Sequence, residues 1–187
     1  MNARRWMRML NSSIMRAAGK LKRVKRQGWL DAGVKDAESV ADHSFRTAFI
    51  VAFFSYEQKA HGKKGKGGGG LDVLKAVRMA LIHDLAEAEV GDITPHSGVS
   101  RAKKAKLEEA AIRRLGDGRI LALWKEYEEG ETPEAILVRQ ADVLERVVQA
   151  GEYVAAGNPR RRLAKFRLGW RSRVRNAALR MLARPGS

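Results

Sequence analysis

The sequence predicts an all-α protein, one domain built as a bundle of about six to eight helices, and three observations carry that prediction. Apolar residues recur at intervals of three and four through long segments. No run alternates in the manner of a half-buried strand, and neither a repeat nor a heptad array is present. At 187 residues, 44% of them hydrophobic, the chain is long enough to close one real core.

The elements follow in order. From about Arg4 to Val24, Trp6, Leu10, Ile14, Ala17 and Leu21 mark an amphipathic helix with Arg and Lys on its outer face. Gly28-Trp29 and the Asp31-Ala32-Gly33 turn end it, and an extended stretch leads to Glu38-Ser39-Val40-Ala41-Asp42-His43-Ser44. A second helix is expected from about Val40 to Lys59 through Phe45, Ala48, Ile50, Val51, Phe53 and Phe54, with His43 in its first turns. Residues 61–70, rich in Gly and Lys, read as a flexible linker, since ordering so many glycines is entropically expensive. No apolar strand precedes them and no Gly-Lys-Ser/Thr closes them, which argues against a phosphate loop.

A helix starting near Asp72 is apolar on more than one face and ends in Ala80-Leu81-Ile82-His83-Asp84-Leu85-Ala86-Glu87. Val90 to His96 reads as a loop broken by Gly91 and Pro95. A charged helix from about Ser100 to Leu115 and a shorter one from Gly118 to Glu128 follow. Thr132 is an N-cap candidate with Pro133 at the first helical position. In that helix Leu137, Ala141, Leu144, Val148 and Gly151 form one stripe, and Asp142, Glu145, Gln149 and Glu152 form another beside it. A last helix from Pro159 aligns Leu163, Phe166, Trp170, Val174, Ala177 and Met181, a stripe that suits either core or a dimer seam. Its opposite side is almost all Arg.

Composition narrows the chemistry. Without cysteine there are no disulfides, thiolate zinc sites or Cys nucleophiles, so any metal must be held by His and carboxylate. No stretch reaches the roughly 18 apolar residues of a membrane span, and the basic N-terminus lacks the apolar core of a signal peptide. A cytoplasmic protein is expected. The net charge of +16 is uneven: residues 1–35 carry ten Lys/Arg and one acid, residues 159–187 ten Lys/Arg and no acid, and the middle is net −3. A nucleic-acid-binding protein using the basic terminal helices is therefore one reading, although no recognised nucleic-acid motif accompanies the charge.

Into the apolar run the sequence places His83, Asp84 and Glu87, which on a helix project toward one side. Such groups need partners when buried, and a metal ion satisfies a neutral imidazole and carboxylates together. A hydrogen-bonded core histidine beside a helix-end aspartate is the other reading of the pair.

Three separated pieces bear on that choice: Glu38 to Ser44; His83-Asp84-Leu85-Ala86-Glu87 with Gly91-Asp92-Ile93-Thr94-Pro95; and Gln140-Ala141-Asp142 with Leu144-Glu145 and Gln149 to Tyr153. Together, over about residues 20–155, they resemble the HD-domain hydrolases, and more narrowly the 5'-deoxynucleotidase branch. The resemblance implies an HD-type bundle in which His43, His83, Asp84 and Asp142 bind one divalent cation, with Mn, Co, Fe, Ni, Zn or Mg all compatible with the ligands. Two imidazoles and two carboxylates leave positions for water and a phosphate oxygen, and with only His61 and His96 remaining a mononuclear site is favoured. By the same resemblance Glu87 acts as general base or orients the nucleophilic water, and Asp92 delivers a proton to the leaving group or holds water. Arg26 matches the phosphate-binding arginine and Trp29 the aromatic against the sugar. Glu38 and Ser39 position the His43 turn, with Ser39 also a cap candidate. The implied reaction takes a deoxynucleoside 5'-monophosphate to deoxynucleoside and phosphate in a homodimer. Another phosphate ester, such as a nucleoside triphosphate or cyclic nucleotide, is the alternative within the same fold.

Overall fold

A computed structural model describes residues 13–54 and 70–182. Trp6, Leu10, His61 and residues 61–69 of the expected linker lie outside the described residues. Among the described residues the helices are α1 (Met15–Leu21), α2 (Gln27–Asp31), α3 (Val40–Phe54), α4 (Val73–Ile82), α5 (Glu87–Val90), α6 (Arg101–Arg114), α7 (Gly118–Glu129), α8 (Pro133–Ala155), α9 (Arg160–Leu163), α10 (Trp170–Arg173) and α11 (Ala177–Leu182), with a 3-10 turn at Ala164–Arg167. The all-α prediction is borne out; among these residues β-pairing is confined to an isolated bridge between Lys25 and Ser39. No described helix is long and apolar enough to cross a membrane.

The chain divides into two compact units, residues 1–42 with 82–124 and residues 43–81 with 125–187, the boundaries falling within α3 and α7 and at the end of α4. In the first unit the core gathers Ala17 and Leu21 of α1, Val40, Leu85, Ala86, Ala88, Ala111, Ile112, Leu115 and Trp124. Two extended pieces are pinned across its edge: Arg26 N donates to Glu38 O at 3.0 Å and Val40 N to Val24 O at 2.8 Å. In the second unit α8 is the spine, burying Leu137, Val138, Ala141, Leu144, Val147 and Ala150. Leu163, Trp170, Val174 and Leu179 of the C-terminal segments are also buried in that unit.

Local chemistry sets several boundaries. Ser39 and Asp42 form a reciprocal capping box: Asp42 N donates to Ser39 Oγ at 3.1 Å and Ser39 N to Asp42 Oδ2 at 2.8 Å. Ser39 is therefore a cap that also sets the first turn of α3. Thr132 Oγ1 accepts from Ala135 N at 3.3 Å, with Pro133 just inside the helix. Thr132→Ala is expected to remove about 1 kcal/mol of stability, a shift that thermal denaturation by circular dichroism resolves.

Three expectations are corrected. Gly28-Trp29 does not end a long first helix; α1 stops at Leu21, and Gln27–Asp31 makes a helical turn of its own, with Gln27 Nε2 donating to Asp31 Oδ1 at 2.7 Å. The helix from Asp72 does not run through Glu87. It ends at Ile82, and Leu85 N to Ile82 O, Glu87 N to Asp84 O and Ala88 N to Leu85 O are three-residue bonds that wind the chain more tightly. The single helix from Pro159 is instead broken at Gly169, whose φ of 65° is left-handed, and again at Val174. Gln140 Oε1 on α8 accepts from Arg175 N at 2.7 Å and Asn176 N at 2.8 Å, supplying the bonds the broken helix lacks. Met181, placed in the buried stripe by its spacing, is 59% exposed as a consequence.

Candidate metal centre

In the first unit His83 and Asp84 sit in the tight turn between α4 and α5. His83 is buried, and its Nε2 lies 3.2 Å from Asp84 Oδ2. Three-residue winding stacks residues i and i+3, so Asp84 and Glu87 are brought into register more closely than an α-helix would bring them. Arg26, extended at the start of α2, places Nη1 3.1 Å from the same Asp84 oxygen. Asp92, just after Gly91 at φ 74°, accepts from Gln27 N at 2.7 Å and so caps the turn that follows Arg26. The acids Asp84, Glu87 and Asp92 are offset by Arg26 and by Lys104, whose Nζ donates to Ile93 O at 3.1 Å.

Glu87 is 2% exposed, and its Oε2 has no hydrogen-bond partner among the described residues. Burial, reinforced by the Asp84 and Asp92 charges, pushes its carboxyl well above the ordinary range. Below the ordinary value of 4.5 the group is protonated folded or unfolded and costs nothing. As pH rises the unfolded chain ionises first, so native stability falls until the folded carboxyl also ionises. Glu87→Gln should therefore raise the melting temperature of the chelator-treated protein at pH 7 and leave it unchanged at pH 4, as scanning calorimetry at the two pH values would show.

In the second unit α3 and α8 supply the other donors. His43 is fully buried, with Nδ1 2.5 Å from Glu145 Oε2 and Nε2 3.3 Å from Asp142 Oδ1. Arg46, one turn further along α3, donates from Nε and Nη2 to Glu145 Oε1 at 3.0 and 2.8 Å and from Nη1 to Glu152 at 2.7 Å; Nη2 also donates to Gln149. Burial would lift the Glu145 carboxyl, but the His43 and Arg46 charges and their hydrogen bonds outweigh it and hold it below the usual range. The anion thus anchors the Nδ1 side of His43 and turns its Nε2 toward Asp142. A ring nitrogen and a carboxylate oxygen at this distance attract only when a proton or a cation lies between them.

Both units therefore present the same element, an imidazole Nε2 beside a carboxylate oxygen, and that donor set fits a divalent metal. Sequence reading assigned no role to Glu145, although its place in the polar stripe of α8 was visible, and Lys104 left no signal in the pattern. Trp29, expected against a sugar, is 2% exposed and donates Nε1–H to Glu38 Oε1 at 2.8 Å. With its ring enclosed, Trp29 braces Glu38 and does not present a face to a ligand. His96 is exposed beyond the Asp92 loop, its backbone N bonded to Thr94 Oγ1.

The family model described as HD domain matches residues 18–178. The chain belongs to the HD domain family. This HD domain is 39% identical to the 5'-deoxynucleotidase HDDC2 of Dictyostelium discoideum over 142 residues, 72% of this chain and 73% of that protein. A solved structure of a conserved hypothetical protein from Pyrococcus furiosus superposes with a TM-score of 0.77 at 37% identity, covering 90% of this HD domain and 96% of that chain. A predicted metal-dependent phosphohydrolase from Magnetospirillum magnetotacticum matches at 26% identity and a TM-score of 0.54, covering 91% of each chain.

Proposed function

We infer that this HD domain is a metal-dependent 5'-deoxynucleotidase that hydrolyses deoxynucleoside 5'-monophosphates to deoxynucleoside and phosphate. The observation that carries the reading is the imidazole–carboxylate pair built twice, His83 with Asp84 and His43 with Asp142, in a chain so similar to a protein named for that activity. We propose His43, His83, Asp84 and Asp142 as the ligands of one divalent cation. When bound, such an ion polarises a phosphoryl oxygen and acidifies a water.

The remaining roles belong to side chains. Glu87, raised in pKa and with an unbonded oxygen, is suited to take a proton from water or to orient it. Arg26, already beside an anion at Asp84, supplies the bidentate donor a phosphate needs. Asp92, held by Gln27 N, is our candidate for returning a proton to the departing 5'-oxygen or holding water. The family match spans residues of both units, which supports one functional domain.

A panel of deoxynucleoside and ribonucleoside monophosphates with Mn or Co tests the reading through phosphate release. Deoxynucleoside monophosphates should be the fastest substrates. Triphosphates cleaved at least as fast would replace it with another phosphohydrolase activity.

We also propose a homodimer in the cytoplasm. Phe45, Phe49 and Phe53 form an exposed stripe on α3, 67%, 48% and 62% accessible, with ring centroids 6.3 and 4.4 Å apart. An aromatic row of this kind on a monomer's surface is the sort of patch a self-complementary contact covers. A Phe49→Glu, Phe53→Glu double variant should be a monomer by light scattering where the unaltered protein is a dimer.

A further inference from the structure

We propose that the C-terminal face of the second unit binds the phosphate backbone of duplex DNA without regard to sequence. From Pro159 to the end of the chain there are ten Lys/Arg and no acid. The breaks at Gly169 and Val174 fold this segment into short pieces, in which Leu163, Trp170, Val174 and Leu179 are buried. The residues between them face water: Arg160, Arg161, Arg162, Lys165, Arg171 and Arg173 are all exposed. Among the described residues none of the six forms an ion pair with an acid, so their charge is not spent inside the fold. Arg180 is different. Its guanidinium donates to the carbonyls of Val174 and Arg171 and serves to hold the broken helix together.

Unneutralised basic groups gathered in one short segment repel each other, and a polyanion relieves that repulsion while releasing its own counterions. The distribution of apolar side chains selects the partner. A bilayer surface needs a continuous exposed apolar face to insert, but Leu163, Trp170, Val174 and Leu179 are buried, and Leu168 and Met181, exposed at 70% and 59%, stand 13 residues apart in sequence. Single strands are held by stacking on open aromatic rings, yet Trp170 is buried with Arg171 over its ring at 5.1 Å, and Phe166 is half covered, with Lys165 5.1 Å from its ring centroid. What remains is exposed charge without an open aromatic ring or a continuous apolar face, which suits the phosphate rows of a duplex.

The test is fluorescence anisotropy of the full chain with a labelled mixed-sequence duplex of about 20 base pairs, roughly two helical turns, from 50 to 300 mM salt, a range over which phosphate binding is strongly weakened. Binding should weaken linearly on a log–log plot, and the Arg160→Ser, Arg161→Ser, Arg162→Ser triple variant should reduce the slope by about two to three, near one for each phosphate that is no longer neutralised. An Arg171→Ser, Arg173→Ser variant should reduce it by about two in the same way. These positions are exposed, so melting temperature and phosphate release from a deoxynucleoside monophosphate should be unchanged in both variants. Salt-independent binding, slopes that neither variant alters, or vesicles of phosphatidylserine and phosphatidylcholine that capture the chain as tightly as the duplex would each overturn the assignment.

Discussion

Replacing Asp84 with alanine should abolish both metal retention and phosphate release while leaving the helical fold in place. Asp84 lies in the tight turn after α4, 19% exposed at its side chain, and is not part of the apolar cluster of its unit. Its carboxylate meets charged or titratable groups in Arg26 and His83. Truncation therefore opens no apolar cavity. What is lost is one of four proposed ligands together with the anchor of Arg26, and phosphate release should fall by roughly three or more orders of magnitude, as when a Lewis acid contributing several kcal/mol is removed. Elemental analysis of the purified variant, a phosphate assay and far-UV circular dichroism read the three outcomes separately. A variant that keeps its metal and its activity would remove Asp84 from the centre.

Glu145→Leu should be the most destabilising single change in the second unit. Glu145 is fully buried, and it is the anion shared by His43 and Arg46. Removing it strands the buried His43 imidazole and takes one of two anions from Arg46, which keeps Glu152, a loss of about 3–5 kcal/mol when one member of a buried ionic cluster is deleted. At this chain length that corresponds to a fall in melting temperature of roughly 6–20 °C. Glu145→Gln, which keeps an acceptor, should lose less. Changing Arg46 to Leu as well should add less than its effect in the unaltered protein, because its bonds to Glu145 are already gone. The pH dependence follows from the lowered carboxyl. Its stabilisation is complete above the ordinary value of 4.5 and disappears as acid protonates the folded group below that value. The unaltered protein should thus lose stability in that acid range by a component that Glu145→Leu lacks.

What could be read in the sequence was local chemistry. Thr132-Pro133 announces a helix start because the cap and the missing N–H act within one turn, and Ser39 with Asp42 does the same for α3. The spacing of Leu163, Trp170 and Val174 correctly marked buried positions but not a continuous helix, since the break depends on Gln140, a side chain 35 residues away. The end of α4 at Ile82 was likewise hidden, because an i+3 and an i+4 pattern differ by less than the residue types reveal. Glu145 stood in plain view within a polar stripe, yet its task is set by His43, 102 residues earlier in the chain. Trp29 could be recognised but not oriented: only Glu38 Oε1, meeting its indole N–H, determines that the ring turns inward.

The main-chain bonds joining Arg26 to Glu38 and Val24 to Val40 have an engineering consequence. They staple both feet of the excursion between them, so the proposed phosphate-gripping arginine and the cap of the His43 helix are registered to each other independently of what the intervening loop contains. Substitutions or short grafts around Lys35-Asp36, beyond the Trp29 brace, should then leave the spacing between Arg26 and the start of α3 undisturbed.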